Sequence, residues 1–191
     1  MSQDENSFLD LIKTNPINDA LLRRLPDLGL PDSWLVSGSL FQTVWNAQTG
    51  RPPTYGIKDY DLFYFEPGDL SWEAEDAVIL RCKGVFSDIK AEVQVRNQAR
   101  VHVWYAEKFG APYPPLKSSC DGIDRFTTPS SMYGVGHDDE GNVQVYAPHG
   151  YSDAFDLVVR PNQNSTAVEP VYAEKTTRWK ALWPELTVIP F

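Results

Sequence analysis

Thiols are scarce in this chain. Its two cysteines, Cys82 and Cys120, lie far apart and without metal-ligand spacing to histidine. That argues against a zinc cluster and a disulfide framework and fits a reducing compartment. Histidine is nearly as rare, and His137 and His149 fall in loop-like sequence with no partner spacing. No stretch approaches the ~20 apolar residues needed to cross a bilayer. The start, Met1-Ser2-Gln3-Asp4-Glu5-Asn6, lacks the basic and apolar segments of a secretory signal. A cytoplasmic protein with no membrane partner is expected. Basic charge is also in deficit, 17 Lys and Arg against 26 Asp and Glu, for a net charge of −9. Affinity for phosphate backbones comes mainly from Lys and Arg, so a general nucleic-acid coat is not expected. A local positive pocket still is: Arg96, Arg100 and Lys108 share one segment, suited either to a triphosphate-sized anion or to a solvated helix face.

Aromatic residues are plentiful, 13% of the chain with six Trp among 191 residues. A chain of this length buries roughly 70% of its unfolded surface, so one domain with a real core is expected. A short helix around Phe8–Ile12 should precede a second helix capped by Asn15, with Pro16 in its first turn, running to Leu28. A strand from Trp34 to Ser37 then hands the chain to a helix from Ser39 to Gly50, with Leu40, Val44 and Ala47 on its inner face. Arg51–Gly56 reads as a loop, and Asp59–Phe65 as a strand. A helix capped by Asp69 reaches Cys82. A strand from Lys90 to Arg96 sets Ala91, Val93 and Val95 on one face and Lys90, Glu92, Gln94 and Arg96 on the other. Asn97 should cap a helix from Gln98 to Phe109. Farther on come a hairpin of Met132–Val135 and Val143–Tyr146, a helix from Ser152 to Leu157, and another from Glu169 to Trp183. The pattern is α+β: a small mixed sheet flanked by helices, with a C-terminal hairpin and helical extension. Residues 1–191 read as a single domain, about 1–110 carrying the motifs and about 111–191 packed on it.

The chemistry concentrates at two points. Gly38-Ser39 ends an apolar strand and opens a helix, a turn whose free N–H groups and hydroxyl suit phosphate oxygens. About twenty residues later, Asp59 and Asp61 alternate along a strand and so share a face. Two ionised carboxylates about 7 Å apart call for a cation, and oxygen-only ligands favour Mg²⁺ or Mn²⁺ over zinc. The bland alternative is a pair of solvated strand-end carboxylates. Glu92 is the obvious third acid. His102 reads either as a base or phosphate contact or as a structural helix residue. Trp45 and Trp104 read either as base-stacking or as core.

Val36-Ser37-Gly38-Ser39 followed by Asp59-Tyr60-Asp61-Leu62-Phe63 resembles the signature of the DNA polymerase β-like nucleotidyltransferase superfamily. More specifically, the chain is similar to a family of bacterial nucleotidyltransferase-like proteins through Val44-Trp45-Asn46, Val95–His102, Pro112–Pro115, Tyr146-Ala147-Pro148 and Val158–Asn162. The resemblance implies transfer of a nucleoside monophosphate from a nucleoside triphosphate to an acceptor hydroxyl. Two Mg²⁺ or Mn²⁺ ions about 3.5–4 Å apart would assist it. It implies that Asp59, Asp61 and Glu92 are the metal ligands and that Gly38 and Ser39 hold the nucleotide, with Gln94, Arg96, Arg100 and His102 as further contacts. It also places an acid immediately before Val95-Arg96-Asn97, where this chain has Gln94. A non-catalytic nucleotide-binding or protein-interaction module retaining the fold is the alternative. Metal-dependent glycosyltransferases also use Asp-x-Asp but generally need a larger nucleotide-binding domain, and the Gly-Ser turn before the carboxylates favours the nucleotidyltransferase reading.

Overall fold

Two helices open the chain. In α1 (Gln3–Lys13), Ser2 accepts a hydrogen bond from the Glu5 amide at 3.2 Å, while the Glu5 carboxylate accepts from the Ser2 amide. This capping box starts the helix earlier than the apolar positions Phe8–Ile12 indicate. In α2 (Pro16–Arg24), Asn15 caps as expected, its Oδ1 accepting from Ile17 N at 3.0 Å. The helix stops short of Leu28 because Pro26 has no N–H to continue it; residues Pro26–Leu28 form a 3₁₀ turn instead. The computed structural model describes residues 2–110, 112–165 and 169–191, apart from the Phe109 side chain.

The central sheet contains β1 (Trp34–Val36), β2 (Asp59–Tyr64), β3 (Glu92–Asn97), β4 (Gly134–His137) and β5 (Val143–Tyr146), in the order β3-β2-β1-β4-β5. Strands β2 and β3 are parallel, joined through α4 (Trp72–Val85), and the other pairs are antiparallel. Helix α3 (Gly38–Gln48) follows β1 directly. Helix α5 (Val101–Phe109) follows β3 after a 3₁₀ turn at Gln98–Arg100, which Asn97 caps by accepting from Ala99 N at 3.1 Å. The chain continues through α6 (Ser119–Ile123), α7 (Ser152–Phe155), β6 (Val158–Val159), α8 (Glu169–Leu182) and β7 (Thr187–Val188). The last two strands, β6 and β7, pair in parallel as a separate ribbon. The cap of α4 is Ser71, whose Oγ accepts from Ala74 N at 3.2 Å. Asp69 acts one step earlier, accepting from Ser71 N at 2.9 Å. Ser152 is the first residue of α7 rather than its cap.

The two faces of the sheet differ in chemistry. One presents Leu35, Tyr60, Leu62, Tyr64, Val95 and Val135 to the main core, shared with α1, α2, α3 and α8. There Trp45 packs edge-on against Trp179 and Trp183, with ring centres 5.6 and 5.3 Å away, so it is a core residue. The opposite face is apolar where Trp34 and Val36 meet Ile123 and Met132. It turns polar beneath β2 and β3, where Asp59, Asp61, Glu92, Gln94 and Arg96 fall on that side by alternation.

Candidate active site

The turn after β1 is strained and unspent. Ser37 adopts φ 56°, ψ −116°, a conformation that costs an L-residue on the order of 1–3 kcal/mol unless its surroundings enforce it. Its amide is fixed by a 2.9 Å bond to the Tyr133 carbonyl. Helix α3 then begins without a side-chain cap. Beneath the turn, Ser39 Oγ and Gln42 Oε1 are buried without a hydrogen-bond partner among the described residues. Each such group costs roughly 1–3 kcal/mol. A side chain at residue 38 would put its Cβ 3.2 Å from Gln42 Nε2, so Gly38 keeps the backbone open there.

The carboxylates lie beside this turn by strand pairing. Val36 stands opposite Asp61, Asp61 opposite Gln94, and Asp59 opposite Glu92. Gln94 Nε2 donates to Asp59 Oδ2 at 3.3 Å and to Glu92 Oε1 at 2.9 Å, so the amide bridges two acids. Desolvation, then the charge of Asp59, raises the Asp61 pKa to about 7, with Glu92 adding a smaller push. Lys175 and Arg96 oppose that rise. Lys175, on α8, has its own pKa lowered by desolvation and by Arg178, while Asp61 and Asp59 raise it. Sequence periodicity marked Lys175 only as a helix position. A basic residue over one hundred positions from the aspartates carries no local signal of facing them.

Of the other candidate residues, Arg100 is engaged elsewhere. Arg100 forms a buried ion pair with Glu75 and donates from Nε to the Leu70 carbonyl at 2.8 Å. His102, in the first turn of α5, buries Nδ1 without a hydrogen-bond partner among the described residues. Arg96 donates to the Val95 carbonyl at 3.1 Å and pairs with no carboxylate within 4.0 Å among the described residues. Also among the described residues, no three His, Cys, Asp or Glu side chains already converge as a preformed metal cluster.

The sequence pattern of a nucleotidyltransferase family matches residues 23–188. The chain belongs to that family. A solved structure described as revealing a CCA-adding enzyme head domain shares the fold, with a TM-score of 0.76 and 24% identity over 97% of this chain and 96% of that one. A chain from a tRNA-processing enzyme complex aligns with a TM-score of 0.49 and 14% identity over 88% of this chain and 43% of that one. No curated protein matches the sequence.

For this nucleotidyltransferase family member, the donor chemistry of the aspartates suits a divalent cation. Asp59 and Asp61 share a face and supply oxygen only, and burial first, then their mutual repulsion, raises the Asp61 pKa. A cation would remove that repulsion. The position facing Asp61 holds a neutral amide that donates to Asp59 and Glu92. Among the described residues, no helix is long and apolar enough to cross a membrane.

Proposed function

We propose that this protein transfers a nucleoside monophosphate from a nucleoside triphosphate to an acceptor hydroxyl, with Asp59 and Asp61 holding Mg²⁺ or Mn²⁺. The observation that carries the reading is the adjacency of the strained Ser37-Gly38-Ser39 turn to Asp61 through the Val36–Asp61 pairing. The start of α3, which no side chain caps, suits phosphate oxygens. Lys175, which both aspartates influence electrostatically, offsets the charge of the bound triphosphate. In the reaction the acceptor oxygen bonds to the α-phosphorus as the bond from that phosphorus to the bridging oxygen breaks, and pyrophosphate leaves. Glu92, exposed at the start of β3, takes the hydroxyl proton. The cation, when bound, neutralises charge that builds on the phosphate oxygens.

A thermal-shift panel of nucleoside triphosphates with and without Mg²⁺ or Mn²⁺ tests the binding half. At a hundred times the dissociation constant the folded state gains about 2.7 kcal/mol. Asp59→Asn and Asp61→Asn should fold and lose the metal-dependent part. A wild type that shows no metal-dependent shift with any triphosphate at millimolar concentration would refute the reading. Gln94 favours a second one, a nucleotide-binding module without chemistry, because a neutral amide replaces the acid that the resemblance puts there. Binding without transfer by the wild type, together with transfer conferred by Gln94→Glu, would decide for that module.

A further inference from the structure

Beyond the carboxylates, β3 borders a cavity of about 500 Å³, the size of a small-ligand site. Its walls come from α4 and α5 and combine two indoles, Trp72 and Trp104, with the cations Arg96, Arg100 and Lys108. Trp72 is 55% exposed although it is among the largest apolar side chains in the protein. Its place as first residue of α4 makes no demand for an indole, since Ser71 already caps that helix. The Arg100 guanidinium lies 5.7 Å from the Trp72 ring centre, and Lys108 Nζ lies 5.5 Å from that of Trp104. Arg100 is neutralised within the floor by Glu75, and Glu107 adds one acid to the lining. Arg96 therefore supplies the cation without a carboxylate partner, and Lys108 a second positive charge. Flat aromatic surface beside a few positive charges matches a nucleobase carrying a phosphate, because stacking tolerates every base and a guanidinium binds phosphate oxygens. With a net charge of −9, the chain offers no general coat for a polyanion, and the few cations of the cavity suit about one nucleotide, free or at the end of a strand.

We propose that this cavity binds a single nucleotide, its base against Trp72 and Trp104 and its phosphate on Arg96, and that it holds the acceptor. Binding stands on the cavity alone; its service to the acceptor rests on the transfer reading above. Arg96 follows Gln94 by two residues on β3, about 7 Å along the strand, so the cavity adjoins the carboxylate face. The shared chemistry has two sources, a free mononucleotide and the 3′-terminal nucleotide of an RNA strand.

The test follows the tryptophan indole N–H signals by NMR in EDTA, so that cation-dependent binding at Asp59 and Asp61 is silent. Titrated AMP should move the Trp72 and Trp104 signals saturably while buried Trp45 and Trp183 stay still. Trp72→Ala, at an exposed position, should fold and weaken AMP binding about tenfold or more, Trp72→Phe should retain most of it, and Asp61→Asn, which removes a negative charge that acts on Arg96, should not weaken it. Ribose 5-phosphate, lacking the base, should bind far more weakly. Equal affinity for AMP and a tetra-adenylate identifies a free nucleotide, and tighter binding of the tetra-adenylate identifies an RNA end; both support the site. AMP binding unaffected by Trp72→Ala, ribose 5-phosphate binding as well as AMP, or no movement of Trp72 at millimolar AMP would overturn the proposal. Metal-dependent ATP binding that persists alongside such a failure leaves the transfer reading intact. AMP binding at Trp72 without any metal-dependent ATP binding sinks the transfer reading instead.

Discussion

Asp61 sets how the site responds to pH. Its carboxyl releases its proton near pH 3.8 in the unfolded chain but near pH 7 when folded. Between those values the folded state binds more protons than the unfolded state, so this group's contribution to stability falls as pH rises. Asp61→Asn removes that loss. In urea unfolding without metal, the variant should match wild type near pH 4 and gain about 1–2 kcal/mol on it by pH 7.5, after allowance for partial exposure. The same linkage makes metal-dependent nucleotide binding by wild type strengthen as pH climbs through 7, because cation and proton compete for one carboxylate. A variant equally stable relative to wild type at both pH values would remove the electrostatic account of the site. Gln94→Glu should act in the opposite sense, lowering metal-free stability and strengthening metal-dependent binding, since it replaces an amide donor to Asp59 and Glu92 with a further negative charge. Arg100 belongs to a different regime. Arg100→Met strands the Glu75 carboxylate, buried at 3% exposure, and should cost about 3–5 kcal/mol in urea unfolding. Adding Glu75→Gln should return part of that loss.

At the level of elements, β4 lies so close to β1 that only glycine fits. A Cβ on Gly136 would sit 2.6 Å from the Ser33 carbonyl oxygen and 3.1 Å from Trp34 Cε3, and a backbone oxygen cannot swing away as a side chain can. Gly136→Ala should therefore destabilise by about 1–3 kcal/mol. Gly84→Ala in α4 meets nothing within 4 Å and should stabilise by about 0.5–1 kcal/mol, so thermal melts of the two variants should move in opposite directions. Elements with a strong local code were legible in sequence. Alternation in β2 and β3 gave their faces, Asn15-Pro16 gave the start of α2, and the Gly-Ser turn gave the start of α3. What escaped depends on competition or distance. Ser71 and Asp69 are both competent caps, and only the folded backbone selects Ser71. The ribbon of β6 and β7 is two residues per strand, too short for any periodicity. Of the candidate site, the shared face of Asp59 and Asp61 and the strand-to-helix turn at Gly38-Ser39 were readable as positions in the fold. The amide bridge of Gln94 and the approach of Lys175 arise from strand register and tertiary packing.

Across the whole molecule, described elements beyond residue 112 support the candidate site. Strand β4 pairs with β1, and Tyr133 just before it accepts the Ser37 amide that fixes the strained turn. Helix α8 brings Lys175 toward the aspartates and sets Trp179 and Trp183 into the core against Trp45. Trp183 also donates from Nε1 to Asn46 Oδ1 at 2.8 Å, and Asn46 Nδ2 in turn holds the carbonyls of Pro53 and Tyr55 in the loop leading to β2. Trp183→Ala should thus cost about 3–5 kcal/mol and also weaken metal-dependent nucleotide binding, a loss that Leu186→Ala, in the same core without that bond, should not match. A fragment of residues 1–110 would leave β1 with an unpaired edge and deprive the core of Val135, Val159, Tyr172, Trp179 and Trp183. It should show no cooperative urea transition by far-ultraviolet circular dichroism, because the remaining sheet of β1, β2 and β3 keeps one face without its cover. A sigmoidal transition with retained nucleotide binding would instead make residues 111–191 a dispensable extension, and would detach the Gly-Ser turn from the Tyr133 contact argued to hold it.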